Sequence, residues 1–406
     1  MKASRRLEGL LVAGVAVLLA LLVISVIILA VGKNPLLVFS SLLQGAGWLP
    51  KPKYAGGRGV LTDFMGLLDA MTPMLFAALA VAIAFRAGLF NIGVAGQMLA
   101  AGFLATVIVG YSPLTAVLAK PLVLLVGLAV GGALGAFVGF LKARFNIHEV
   151  VSTIMLNYIV LYITSFFIKS YYIDPVSRQS RAISSEARLT LMNVDLGGLS
   201  SRLPLCFLLA VALAVLFYLL LARTRLGFEI RAVGKSRKAA QYSGINARRT
   251  IVLSMALSGC SAGLAGVTYY LGCFNSILPA ELSNIGFDSI AVALLANSNP
   301  LGSILSSLLI TTLTYGSNYM SSTAGISEYI ASLMIGVVLL FSACGGFFQY
   351  LLGRRRKALE LDKEATGGAG IGTGGSSGSS NPGAGAGTGD SPGSEYDQDA
   401  KAAGQP

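Results

Sequence analysis

Arg223 to Thr250 reads RTRLGFEIRAVGKSRKAAQYSGINARRT, a polar stretch set between two apolar runs of membrane-span length. Eight of its residues are basic (Arg223, Arg225, Arg231, Lys235, Arg237, Lys238, Arg248, Arg249) and one, Glu229, is acidic. Positive charge collects in the cytoplasmic loops of membrane proteins, so this loop is expected on the cytoplasmic side. Within it Lys235 to Gly244 is expected to form a short helix, because Ala239 and Ala240 favour helix and glycine suits the left-handed residue that ends one. A short helix held at the membrane surface is a docking handle; the charge alone fits equally an orientation signal that touches anionic lipid.

Gly234-Lys235-Ser236 has the form of the tail of a phosphate-binding loop, G-x-x-x-x-G-K-[ST]. The leading glycine of that motif would fall at position 229, which is Glu229. No strand pattern precedes it, so no backbone nest for phosphates is expected and the chain is not expected to bind ATP itself.

Working outward, 54% of the 406 residues are hydrophobic and 12% charged, and apolar runs of about 20 residues recur, roughly what one helical crossing needs. The class is all-α, a polytopic integral membrane protein. Residues 1–357 carry +17, because the stretch after Lys357 holds seven acids and two bases. That charge lies largely in loops, which fits lipid contact better than nucleic acid. Cys206, Cys260, Cys273 and Cys344 lie in or beside apolar runs without paired spacing, so neither a metal site nor a disulfide framework is indicated.

About ten crossings are expected. The first, Gly9 to Gly32, is too long for the core of a signal peptide and is read as uncleaved with its N-terminus inside. Lys33 to Gly66 is then external, with Trp48 and Tyr54 as interfacial anchors, although its four basic residues run against that placement. The second span runs from Leu67 to Arg86, with Pro73 expected to open a gap in its hydrogen-bond ladder. Next, FRAGLFNIGVAGQMLAAGF (Phe85 to Phe103) interrupts apolar sequence with polar residues and glycines, an irregularity tolerated at membrane depth only where protein or a water-filled cavity surrounds it. Gly127, Gly131, Gly135 and Gly139 mark a close-packing face on the fourth span. Asn157 is an amide inside the fifth, Lys169 to Arg202 a long external loop, and Asn284 to Pro300 a short apolar segment. Ser327-Glu328 caps the tenth span. Residues 1–357 are expected to form the membrane domain, with the loop 223–250 inside it, and 358–406, too poor in apolar residues to fold, a disordered tail.

Asn91-Ile92-Gly93 recurs as Asn284-Ile285-Gly286, each followed by a polar side chain, Gln97 or Asp288. Paired, glycine-interrupted segments in the two halves of a chain point to inverted repeats with a solute path between them.

AFRAGLFNIGVAGQ (Ala84 to Gln97), EVVSTIMLNYI (Glu149 to Ile159), RAVGKSRKAAQYSGIN (Arg231 to Asn246), LSMALSGCSAGLAG (Leu253 to Gly266) and GFDSIAVALL (Gly286 to Leu295) occur in this order. Together they resemble the recurrent blocks of the permease subunits of bacterial ABC importers, in the group of ribose-type simple-sugar and branched-chain amino acid permeases, nearest the nucleoside permeases. Lys2, Arg5 and Arg6 at one end and Arg354 to Lys357 at the other place both termini in the cytoplasm; the resemblance implies alternating access across the inner membrane, no cofactor on this chain, and ATP bound by a partner subunit. It implies an extracytoplasmic binding protein or lipoprotein, and a second, shorter permease, with a homodimer as the alternative. It also implies that Lys238-Ala239-Ala240 with Gly244 corresponds to the Glu-Ala-Ala...Gly motif that docks on the ATPase, here with lysine in place of glutamate.

A nucleoside needs hydrogen-bond partners and no counter-ion, so Asn91, Gln97 and Asn157 are the candidate pathway residues. Their other reading is interhelical hydrogen bonding. Asp288 is either a pathway group or a helix cap. Arg86 marks the end of the second span, and Gly234 and Gly244 have the simpler reading of turn glycines. An ion-coupled secondary transporter is the competing reading, with Asp69 and Asp288 as its carboxylates. No H-E-x-x-H, G-x-S-x-G or acid pair supports an enzyme.

Overall fold

The computed structural model describes residues 2–54, 59–195, 200–325 and 329–343. The expected tail, Cys344 and the Ser327-Glu328 cap lie outside them.

Helix α1 (Lys2–Ala30) turns by 116° into the short α2 (Pro35–Gly45). Asn34 makes the corner: its side chain accepts a hydrogen bond from the Leu36 N–H, and Pro35 occupies the first helical position, where its missing N–H costs nothing. The expected external segment therefore holds a helix, and α3 (Val60–Arg86) starts seven residues before the expected Leu67. Trp48 is an anchor within the protein, since its Nε1 donates to Thr312 Oγ1 at 3.2 Å and its ring meets Phe64 edge-on. Of the four basic residues there, Lys51 is neutralised by Asp63 at 2.8 Å.

Helix α3 is apolar on every side, and 89% of its apolar window is buried, as a central helix requires. Pro73 leaves the Asp69 carbonyl without its helical donor, and Cys273 Sγ donates to that oxygen at 3.4 Å. Helices α7 (Leu205–Arg223), α10 (Ala247–Thr268), α11 (Ile285–Leu295) and α12 (Pro300–Ala324) pack against α3, while α4 (Val94–Ala105) and α5 (Ala116–Phe145) pack on α10, and α6 (Glu149–Phe167) on α4 and α5. Only 39%, 39% and 28% of the apolar windows of α5, α6 and α7 are buried, so these three turn most of their surface outward, where lipid suits it.

The glycine stripe of α5 meets Gly259 and Gly263 of α10. A β-carbon at Gly131 would lie 2.2 Å from the Gly259 carbonyl oxygen, so the two backbones touch. Lipid tails are as apolar as side chains, and close backbone packing of this kind holds helices together where hydrophobic burial cannot.

Helices α8 (Arg225–Lys235) and α9 (Arg237–Tyr242) join α7 to α10, and α11 (Ile285–Leu295), α12 (Pro300–Ala324) and α13 (Tyr329–Ala343) follow. Among the described residues five helices are long and apolar enough to cross a membrane, and six if α1 and α2 count as one bent span. The expected ten also included α4 and α11. With the π-helical turn that follows it α4 runs from Val94 to Gly110, roughly 25 Å, and α11, at 11 residues, spans roughly 16 Å, both short of a bilayer core. Helix α12 is long enough, at 25 residues, but carries ten serines and threonines.

The expected external loop is structured. Strands β1 (Thr190–Asp195) and β2 (Ser200–Pro204) form an antiparallel hairpin with Thr190 opposite Pro204. The segment before it, from Ser180 to Leu189, donates backbone hydrogen bonds to the carbonyls of Gly110, Leu271, Asn275 and Ile277. It thereby covers the π-helical turns Thr106–Gly110 and Tyr269–Cys273 that extend α4 and α10. Thr190 Oγ1 donates to the buried Asp69 carboxylate at 2.7 Å, and Arg202 Nη1 stands 4.0 Å from its other oxygen, which fastens the hairpin to α3.

Candidate functional site

The irregular backbone between α3 and α4, Ala87 to Gly93, is the centre of the site, and side-chain amides hold it. Asn91 Oδ1 accepts from the Gly93 N–H at 3.0 Å. Its Nδ2 donates to Gln97 Oε1 at 3.1 Å and to Ser258 Oγ at 2.8 Å, and the Ser258 hydroxyl in turn donates a hydrogen bond to the Ala80 carbonyl of α3. Asn157, on α6, bridges the break: its Nδ2 donates to the Ile92 carbonyl at 3.0 Å and its Oδ1 accepts from the Gly96 N–H at 2.9 Å. Gly96 lies in the first turn of α4, whose N–H groups have no partners inside the helix, so Asn157 supplies a cap from 61 residues away. Asn91, Gln97 and Asn157 are all buried. The structure thus brings together the three amides read from the sequence; Asn157 spends both polar atoms on backbone, and Asn91 spends its oxygen on backbone and its nitrogen on the side chains of Gln97 and Ser258. Gln97 keeps one unmatched group, Nε2, which has no hydrogen-bond partner although the residue is fully buried.

The two echoing segments meet. A β-carbon at Gly286 would stand 2.6 Å from the Ala95 backbone nitrogen, so the start of α11 lies against the start of α4. Two half-helices thereby place their N-terminal dipole ends side by side, each in the turn after an Asn-Ile-Gly, a geometry that favours electron-rich groups of a solute. Asp288, in the first turn of α11, is half-buried, and its carboxylate meets no donor among the described residues. Asn284, the residue before α11, makes no side-chain cap either, so the amide clamp of the first segment is not repeated in the second.

At the basic end the short helix expected over Lys235 to Gly244 is α9, which starts two residues later at Arg237, and a second helix that was not expected, α8, precedes it. Ser236 takes an extended backbone (φ −158°) so that its hydroxyl can accept from the Ala239 N–H, and this ends α8 and starts α9. Helix α8 buries Gly227, Ile230 and Val233 at helical spacing. Gly234 is in α8 and is not a turn residue: a β-carbon there would lie 2.2 Å from the Arg86 carbonyl oxygen. The turn at Gly88, whose φ of +70° suits glycine, faces it from α3. Gly244 is the left-handed residue that was expected, with φ +78° and open space around it. Lys238 and Ala239 are exposed and Ala240 is buried.

One residue escaped the sequence reading, and a second was read only in part. Tyr242, the last residue of α9, is 92% exposed, an aromatic ring offered to solvent beside Lys238 and Ala239. Arg86 does more than mark a span end: its Nε donates to the Ser298 carbonyl at 2.8 Å and its Nη2 to the Asn297 carbonyl at 3.2 Å. These carbonyls follow α11, where a cation is favoured by the helix dipole. A continuous path therefore runs from α8 through Gly234 and the turn at residues 86–88 to the end of α11. The signal available in sequence was a lone arginine next to apolar span, and nothing pointed to its partner.

Residues 64–343 match the family described as the permease component of branched-chain amino acid transport systems. Over 355 residues the chain is 35% identical to the guanosine ABC transporter permease protein NupP of Bacillus subtilis, covering 87% of this chain and 98% of that one. It is 32% identical over 371 residues to the nucleoside ABC transporter permease protein NupB of Lactococcus lactis subsp. cremoris, with 89% and 98% covered. To the glucose ABC transporter permease protein TsgB13 of Haloferax volcanii it is 28% identical over 323 residues, with 76% and 84% covered.

Proposed function

This chain belongs to the family of permease components of branched-chain amino acid transport systems, and from that premise we propose that it is the membrane-spanning subunit of an ATP-driven nucleoside importer. It is a multi-pass protein of the plasma membrane and not an enzyme. A partner subunit binds and hydrolyses ATP, and an extracytoplasmic protein delivers the solute. The observation that carries nucleosides over sugars is the likeness to two nucleoside permeases over almost their whole length. With that family the ion-coupled alternative loses its ground, and Asp69 has a different use as the anchor of the hairpin.

The basic α8–α9 end is assigned to the cytoplasm on the charge of residues 223–250, the N-terminus on Lys2, Arg5 and Arg6, and the C-terminal side on the basic run at 354–357. The second permease is a shorter relative, as the long segment ahead of the family's core suggests. Solute passes at the meeting of α4 and α11, where Gln97 Nε2 and the Asp288 carboxylate offer a donor and an acceptor for hydroxyls and base edges. Asn91 and Asn157 keep the frame of that site. ATP-driven closure of the partner subunits pulls on α9 and reaches α11 through Gly234 and Arg86.

The test is uptake of labelled guanosine and adenosine by cells with the chain deleted and restored, with unlabelled nucleosides, ribose and glucose as competitors. Uptake should follow the chain, persist when ion gradients are collapsed while ATP is held, and be competed by nucleosides alone. Competition by ribose or glucose with none by nucleosides would move the assignment to sugars.

A further inference from the structure

A cleft of about 340 Å³ opens on the side of the bundle at its basic end, between the last turn of α5 and the first turns of α10. Its walls include Phe140, Val252 and Leu253, and its rim carries Arg144, Arg248 and Arg249. The pattern is regular along both helices. Phe140 and Arg144, Val252 and Arg248, and Leu253 and Arg249 are each four residues apart, so every guanidinium is based one turn, roughly 6 Å, from an apolar side chain on the same face.

The charges of this end are not all used by the protein. Lys142 pairs with Glu149 at 2.7 Å and Arg225 with Glu229 at 3.1 Å. None of Arg144, Arg248 and Arg249 meets a carboxylate among the described residues, and no acidic residue lines the cleft. Three cations are gathered with no internal counter-charge, above an apolar floor that belongs to two membrane-crossing helices. A soluble partner matches the cations alone, whereas the floor is made by apolar side chains of two helices long and apolar enough to cross a membrane. A phospholipid matches both levels at once, with its phosphate among the arginines and its chains along Phe140, Val252 and Leu253.

We propose that this cleft is a binding site for an anionic phospholipid of the inner leaflet. Basic pockets between spanning helices suit such headgroups, and three arginines near a charged lipid surface at about 1 kcal/mol each correspond to a preference on the order of 100-fold. Arginine fits the role better than lysine because its planar fork holds two phosphate oxygens at once. A bound lipid would brace α5 against α10 directly beside α9, the region that the proposed transport cycle moves. The proposal rests on the membrane-spanning reading and on the cytoplasmic placement of the basic end, and its readout does not depend on which solute is carried.

The experiment measures lipid retained by the purified full-length chain in mild detergent, by native mass spectrometry, with phosphatidylglycerol and phosphatidylcholine as probes. Wild type should retain phosphatidylglycerol on the order of 100-fold more tightly than phosphatidylcholine, and millimolar inorganic phosphate should not displace it. The triple variant Arg144→Gln, Arg248→Gln, Arg249→Gln should hold the two lipids equally, while the triple Arg→Lys variant keeps part of the preference. If the glutamine variant does not reach the membrane, Leu253→Glu places a carboxylate in the floor and should abolish the same preference. Equal retention of both lipids by wild type would overturn the proposal, as would displacement by free phosphate. So would a glutamine variant that keeps its phosphatidylglycerol but no longer recovers the ATP-binding subunit, which would assign the arginines to a protein contact.

Discussion

Replacing Gly234 by alanine sets two physical effects against each other, and the structure says which prevails. In an isolated helix the change stabilises by about 1 kcal/mol, because alanine loses less backbone freedom than glycine. In this protein the new methyl group would lie 2.2 Å from the Arg86 carbonyl oxygen and 3.1 Å from the carbonyl carbons of Arg86 and Ala87. Real β-carbons essentially never come within 3.0 Å of such atoms, so α8 must retreat from the turn by about 0.8 Å, the difference between 3.0 and 2.2 Å. The neighbours are backbone and cannot swing aside. Overpacking of this kind costs about 1–3 kcal/mol, which outweighs the propensity gain and leaves a net loss of up to about 2 kcal/mol. The displaced contact is the one that joins the handle to α3, so the deficit falls on coupling. With about 1.4 kcal/mol of it on the engaged state, solute imported per ATP hydrolysed drops roughly tenfold. The assay is ATP hydrolysis and import measured in the same proteoliposomes containing the whole complex, alongside thermal unfolding of the chain. Gly244→Ala is the control: it has open space but a φ of +78°, so it should lose about 1 kcal/mol locally without wedging α8. A Gly234→Ala protein that melts higher and imports as well as wild type would refute the contact between α8 and the 86–88 turn.

Asn157→Leu leaves the Gly96 N–H and the Ile92 carbonyl buried and unpaired, and should destabilise by about 2–6 kcal/mol, seen as lost yield and a lowered melting temperature. Gln97→Leu should spare complex assembly and lower nucleoside affinity in uptake assays; unchanged affinity would remove Gln97 from the pathway. Tyr242→Ala should leave thermal stability within about 0.5 kcal/mol of wild type, as at other exposed positions, while recovery of the ATP-binding subunit falls, because exposed aromatic residues anchor interfaces. Arg86→Gln should let ATP hydrolysis continue while import declines, since α11 loses its tie to the handle; import and hydrolysis falling in step would count against the path through Ser298.

Apolar runs, basic loops and the glycine stripe at four-residue spacing are legible in the sequence because each depends on neighbours close along the chain. They determined the helical membrane class, the basic handle and the α5 packing face. The amides Asn91, Gln97 and Asn157 stood out for the same reason, as polar groups in apolar surroundings, where each must find a partner. Which partner they find was decided by the tertiary structure. Asn157 serves a backbone 61 residues away and Arg86 one 212 residues away, and no local pattern encodes a contact at that separation. The same holds for Gly234, whose place in a turn or against a neighbouring helix is indistinguishable until α3 lies beside it. The basic loop shows the limit at short range: the alanines and Gly244 marked α9, but α8 before it went unread, and the cap by which the Ser236 hydroxyl accepts from the Ala239 N–H sets the boundary between them. Composition and periodicity determine what must be buried, but only packing determines what it is buried against.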